Sequence, residues 1–131
     1  MKRTRFYIRE LKYKLRTRIQ RFMRGYSDVD VWNMDTWFME VIEPMLSQLR
    51  NGYSYPCIFN SHEEWHDVLT EMIECLHLMN EDNVEESLGF VGYEGILKMK
   101  AEDHEKVTNI MFENKNRFFE LFNKYFYDLW D

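Results

Sequence analysis

Two cysteines, two prolines and five glycines are few for 131 residues, and each scarcity excludes something. Cys57 and Cys75 lie in different predicted elements without metal-type spacing. A disulfide scaffold and a zinc knuckle are therefore excluded, and the two read as reduced, buried thiols of a cytosolic protein. The shortage of proline and glycine leaves long stretches free for helix. No run approaches the roughly 18 apolar residues of a membrane span. The opening MKRTRFYIRELKYKLR carries charge throughout, so it does not read as a signal peptide. There is no P-loop, no dinucleotide fingerprint and no strand–turn–helix setting for a nucleophilic serine. Cys75 precedes His77 by two residues, which points them to different helix faces. No motif asks for a cofactor.

What is present is a core-forming composition, 45% hydrophobic and 17% aromatic. It implies a single folded domain over residues 1–131, with a basic helix (1–24) and an acidic helical body (25–131). The net charge of −6 conceals a split. Residues 1–24 hold ten Lys or Arg and one Glu, giving +9; the remainder holds seven basic and twenty-two acidic residues, giving −15. Such asymmetry is a clue to partners.

The periodicities predict an all-α fold, a small helical bundle of about four helices. In the first, near 3–23, Ile8, Leu11, Leu15, Ile19 and Phe22 recur at spacings of three, four, four and three and share one face. Phe6, Tyr7 and Tyr13 are expected to widen that stripe, and Gly25 stops the helix. Ser27 caps a second helix, with Asp30 in the reciprocal place of a capping box. That helix is expected to continue to about residue 49, kinked by Pro44, on a core stripe of Val31, Met34, Phe38, Val41, Met45 and Leu49, widened by Trp37, Ile42 and Leu46. NGYSYP (51–56) is a turn-rich linker. A third helix, near 62–79, opens with the capping box of Ser61 and Glu64 and buries Trp65, Val68, Leu69, Met72, Ile73 and Leu76. Residues 80–95 are less regular. A last helix, from about 97 or 102 to the end, buries residues from Val107 to Leu129.

Four chemistries fit parts of this pattern. Glu63-x-x-His66 and Glu74-x-x-His77 have the local form of di-iron carboxylate helices. They lie eleven residues apart on one helix, about 16 Å along its axis, so they cannot share one centre within a chain. Glu64, Asp67, Glu71 and Glu74 offer oxygen ligands for Mg²⁺-dependent nucleotide hydrolysis, but no basic residue of that helix accompanies them to hold a phosphate. Arg9, Lys12, Arg16, Arg18 and Arg21 give the first helix a basic surface for nucleic acid, with stacking by Phe6, Tyr7 or Tyr13. The same cationic, aliphatic helix also suits a membrane interface, and it can equally pack on the acidic body of its own chain or of a neighbour.

RGYSDVDVWNMDTWFMEVIEPML, then GYSYP, EEWHDVLTEMI and LFNKYFYDLWD, resemble a family of small uncharacterised proteins of tailed bacteriophages. Members share a G-Y-S-D-x-D-x-W-x-x-D stretch, an E-E-W helix and an aromatic ending. The resemblance covers about residues 20–80 and 115–131. It implies a viral accessory protein in the bacterial cytoplasm, working without catalysis by binding a host protein, counteracting host defence, or binding a small anionic, nucleotide-like ligand, with homo-oligomerisation an open expectation. A phosphate wants an arginine or a helix N-terminus, and a base wants an aromatic platform. Arg24, Tyr26, Asp30, Trp32 and Asp35 are therefore the candidate ligand or partner site. The competing reading pairs Asp28, Asp30 and Asp35 with Arg21 and Arg24 as a structural lock between the first two helices.

Overall fold

The computed structural model describes residues 2–130, with side chains from residue 7 to residue 130. The described residues are all-α, without a strand, and carry seven helices rather than about four. In order they are α1 (Lys2–Arg24), α2 (Asp28–Trp32), α3 (Met34–Arg50), α4 (His62–His77), α5 (Glu81–Ser87), α6 (Gly92–Ile96) and α7 (Ala101–Lys124), closed by a 3₁₀ turn, Phe126–Asp128. None is long and apolar enough to cross a membrane. The chain divides into two compact units, Met1–Phe38 and Met39–Asp131.

The three additional helices come from punctuation that periodicity alone overlooks. The expected second helix is broken at Asn33, whose backbone (φ −128°, ψ 57°) leaves the helical region while its N–H still bonds Val29 O at 3.3 Å. Pro44 is not the interruption, because α3 runs through it from Met34 to Arg50. Residues 80–96 hold two short helices, α5 capped by Asn80 through the Asn83 N–H. The last helix stops at Lys124, short of the chain end.

In the larger unit, α4 and α7 pack antiparallel: Trp65 meets Tyr125, with ring centroids 5.8 Å apart, while Glu71 meets Arg117. Leu69, Met72 and Leu76 of α4 and Phe118 of α7 are wholly buried, with Val84 of α5 and Val107 closing the core. Phe59 joins Trp65 and Tyr125 at 5.1 and 5.5 Å, tying the linker to both helix ends. Burial of these aliphatic and aromatic groups is the main term holding the unit together. The α4 face was legible, although Val68 and Ile73 sit at its half-buried margin and Cys75 joins its centre. The α3 face turns toward the margin of the expected stripe, where Leu46 was placed. Met45 is exposed and Leu46 buried, and in the smaller unit Val31 and Met34 are exposed. Ile42, Met45, Leu46, Leu49, Phe122 and Trp130 edge an apolar groove of about 480 Å³.

The N-terminus of α4 only half follows the expected capping box. Ser61 Oγ accepts from the Glu64 N–H at 3.3 Å, but the Glu64 carboxylate reaches the Asn60 N–H at 3.0 Å instead of that of Ser61. The cysteines also differ from expectation. Cys75 is buried, but Cys57, in the linker after the buried Pro56, is exposed.

Candidate interface on the first helix

The smaller unit begins with a strongly amphipathic helix and a sharp corner. Gly25 ends α1 at φ +81°, a left-handed conformation that disfavours any side chain, with its N–H on Arg21 O at 2.8 Å. Two residues later Ser27, fully buried, starts α2.

The corner is held by a dense polar latch. Asp30 is buried, and its Oδ2 accepts from the Ser27 N–H (2.7 Å), the Ser27 hydroxyl (2.8 Å) and Arg21 Nε (2.9 Å). Arg21 Nη2 donates to Oδ1 at 2.5 Å, completing a two-pronged guanidinium–carboxylate pair. Asp28, two residues earlier, is held as well. Gln20 donates to its carboxylate at 2.6 Å and accepts from its backbone N–H at 3.0 Å, while Arg16 donates at 3.0 Å. Arg24 also pairs with Asp28, donates from Nε to Tyr26 O at 3.0 Å and lies 4.7 Å over the Tyr26 ring. Arg21, with Ser27 in support, holds the Asp30 carboxyl far below the usual range against its desolvation. Arg24 and Gln20 lower that of Asp28.

These distances place each candidate residue. Arg24, Tyr26 and Asp30 belong to the latch, and the guanidiniums of Arg16, Arg21 and Arg24 all face carboxylates of the same unit. Trp32 is 87% exposed and lines an open hollow of about 400 Å³ with Tyr13, Arg16, Thr17, Gln20 and Asp28. Asp35 is exposed in the first turn of α3, without a polar partner among the described residues. The five are therefore not gathered around one cavity. Sequence reasoning missed Gln20, whose amide bonds Asp28 in both directions; its place two turns before Asp28 on the polar side of α1 was the available signal.

The latch uses the polar side of α1, and this decides what the helix shows to its surroundings. Tyr13, expected in the apolar stripe, lies on the α2 side instead; the side chain of Phe6 falls outside the described residues. Ile8, Leu11, Leu15, Ile19 and Phe22 occupy the opposite side, within an arc of about 80° at 3.6 residues per turn. All five are exposed, from 49% at Ile8 to 89% at Phe22. The stripe expected on one face of the helix is therefore present but not core: α1 meets α2 with its polar face. Lys12 and Arg18 border the stripe, with Lys14 and Arg9 beyond them. Among the described residues no carboxylate pairs with Arg9, Lys12 or Arg18, whereas Lys14 is bound to Glu10 at 2.7 Å.

The α4 carboxylates do not form a centre. Glu71 is held by Arg117 at 2.6 Å, Glu64 by Asn60, and Asp67 lies 3.9 Å from His66, an ion pair only when the histidine is protonated. Glu74 is exposed. Among the described residues no group of three or more His, Cys, Asp or Glu is placed to hold a metal ion.

No family model, curated protein or solved structure matches the chain at a significant level.

Proposed function

We propose that this chain is a binding protein, an accessory protein of a tailed bacteriophage acting in the cytoplasm of its host, and that the outward face of α1 is its contact surface. The phage context rests on the G-Y-S-D-x-D-x-W-x-x-D stretch at residues 25–35 and the motifs that follow it. One observation carries the choice of surface. Five large apolar side chains stand in water on one side of a helix whose other side is latched. A monomer gains nothing from such a stripe, whereas an interface does. Interference with a host defence component is a task that suits such a protein.

A second reading keeps the hollow beside Trp32 as a site for a small anionic, nucleotide-like ligand, because an exposed indole beside a guanidinium suits a base and a phosphate. It is the weaker reading. Arg16 and Gln20 in that hollow already hold Asp28, and an incoming anion must displace a carboxylate from them. In the hydrolase alternative Glu71 must first leave Arg117 to reach a metal ion.

Phage growth tests the proposal. A phage carrying Leu11→Gln with Leu15→Gln is expected to reproduce the growth defect of a gene deletion, while Glu71→Gln with Glu74→Gln plates like the parent. The opposite pair of results overturns the choice of surface and restores the carboxylates.

A further inference from the structure

We infer that the outward face of α1 docks on an anionic lipid surface, with the apolar stripe at the acyl boundary and the flanking cations on lipid phosphates. The inference rests on the reading of α1 as the contact surface and names what that surface meets.

The argument starts from the arrangement of charge around the stripe. From Ile8 to Phe22 the apolar residues extend about 21 Å along the axis at 1.5 Å per residue. Lys12 and Arg18 flank the row on its two sides, and with Ile8, Leu11, Lys14 and Leu15 they enclose a shallow, solvent-open hollow. Among the described residues no carboxylate pairs with Lys12 or Arg18 next to the stripe, whereas Arg16, Arg21 and Arg24, turned toward α2, are matched by Asp28 and Asp30. Long cationic side chains beside an apolar strip can lay their methylenes along it and raise their charges to a phosphate plane. A cationic helix of low mean hydropathy with one aliphatic face lies in a bilayer interface rather than across it.

Three other occupants fit less well. A second copy docking stripe to stripe sets Lys12 and Arg18 of one +9 segment against those of another, and like charges beside a helix seam oppose pairing. Nucleic acid satisfies the cations but leaves the aliphatic row against phosphates, and the row has one aromatic, Phe22, for stacking. A protein groove that wraps a basic helix needs more of its circumference than remains once α2 occupies the polar side. A flat surface needs only the face that is open.

The test is flotation of the full-length protein with unilamellar vesicles of equal parts phosphatidylglycerol and phosphatidylcholine, beside vesicles of phosphatidylcholine alone. Each Lys or Arg near an anionic leaflet multiplies partitioning roughly fivefold. Lys12→Ala with Arg18→Ala is therefore expected to weaken binding about 25-fold, with an unchanged circular dichroism spectrum. Leu11→Gln with Leu15→Gln is expected to weaken it on the order of a hundredfold, from the loss of two buried leucines. Salt of about 1 M, with a screening length near 3 Å, reduces binding by the parent protein.

Equal binding to both vesicle types overturns the inference, as does the absence of binding to either. Tighter binding to duplex DNA at matched phosphate makes nucleic acid the partner instead. A dimer in sedimentation equilibrium that the leucine variant dissociates makes a second copy the occupant. If vesicles fail while the leucine variant still cripples the phage, the lipid inference falls and the reading of α1 as contact surface stands. If the phage tolerates that variant, the reading itself falls.

Discussion

Replacing Leu15 by Ala separates an open stripe from a buried one. Leu15 is 59% exposed, so roughly two-fifths of its surface is covered, and its loss leaves no enclosed void. Scaling the 1.5–3 kcal/mol of a fully buried leucine by that fraction gives a cost of about 0.6–1.2 kcal/mol. Alanine is also at least as good a helix former as leucine. Leu69→Ala is the reference, because Leu69 has no exposed surface and packs in the α4–α7 core. Truncation there removes transfer free energy and opens a cavity, for about 2.7–5 kcal/mol. At this chain length 1 kcal/mol corresponds to about 3–6 °C in Tm. L15A should therefore lower Tm by a few degrees at most, and L69A by about 10 °C or more. Chemical denaturation followed by circular dichroism gives the same comparison as a free energy. If L15A costs as much as L69A, the stripe is buried within the folded molecule, and the account of α1 as an open contact face is refuted.

Other expectations follow from the latch, the cysteines and the aromatic cluster. Ser27→Ala removes a cap hydroxyl that is wholly buried; it should cost about 1 kcal/mol, measurable by urea denaturation, and speed amide exchange across residues 20–30. The Asp30 carboxyl is lowered from its ordinary 3.8, so its contribution is complete above that value and fades as pH falls below it toward the depressed folded-state value. Amide exchange at the corner should accelerate on that descent in the parent protein, while Asp30→Asn shows fast exchange at neutral pH as well. A thiol reagent should modify Cys57 quickly and Cys75 only on unfolding, because Cys75 is buried and its desolvated thiol is pushed up in pKa; two fast equivalents would contradict this. Trp65 is buried, and among the described residues its indole N–H has no hydrogen-bond partner. Trp65→Phe should therefore cost clearly less than the roughly 3–5 kcal/mol of Trp65→Ala in thermal denaturation.

Much of the fold was legible because its signals are local. Gly25 and Ser27 mark a stop and a start whose conformations depend on their own atoms, and both stand where expected. The α4 face was readable because its apolar residues repeat cleanly between a serine cap and a histidine end. The break at Asn33 was not, since nothing in VWNMDTWF forbids a continuous helix and Asn is only mildly unfavourable inside one. The phase of α3 failed for a related reason. Apolar residues cover more than half of that helix, so the expected stripe took in both Met45 and Leu46, and periodicity cannot say which of the two is buried.

The candidate site shows where pattern reading stops. Arg24, Tyr26, Trp32 and Asp35 exceed the needs of a helix cap, which made the corner conspicuous. Which guanidinium meets which carboxylate depends on the angle at which α2 leaves Gly25, and no spacing rule supplies that angle. The exposed stripe was visible as a stripe but not as exposed. Amphipathicity says that a face wants cover, and it leaves open whether the cover is the chain's own.

Cysteine accessibility on α1 tests the central claim most directly. In a Cys57→Ser background, Leu15→Cys and Thr17→Cys place one thiol on the outward face and one on the side facing α2. The account predicts that the thiol at 15 reacts at nearly the rate of a free peptide and is strongly protected by phosphatidylglycerol vesicles, while the thiol at 17 changes little on their addition. A thiol at 15 that is already protected in the free protein, or is unaffected by the vesicles, would contradict it.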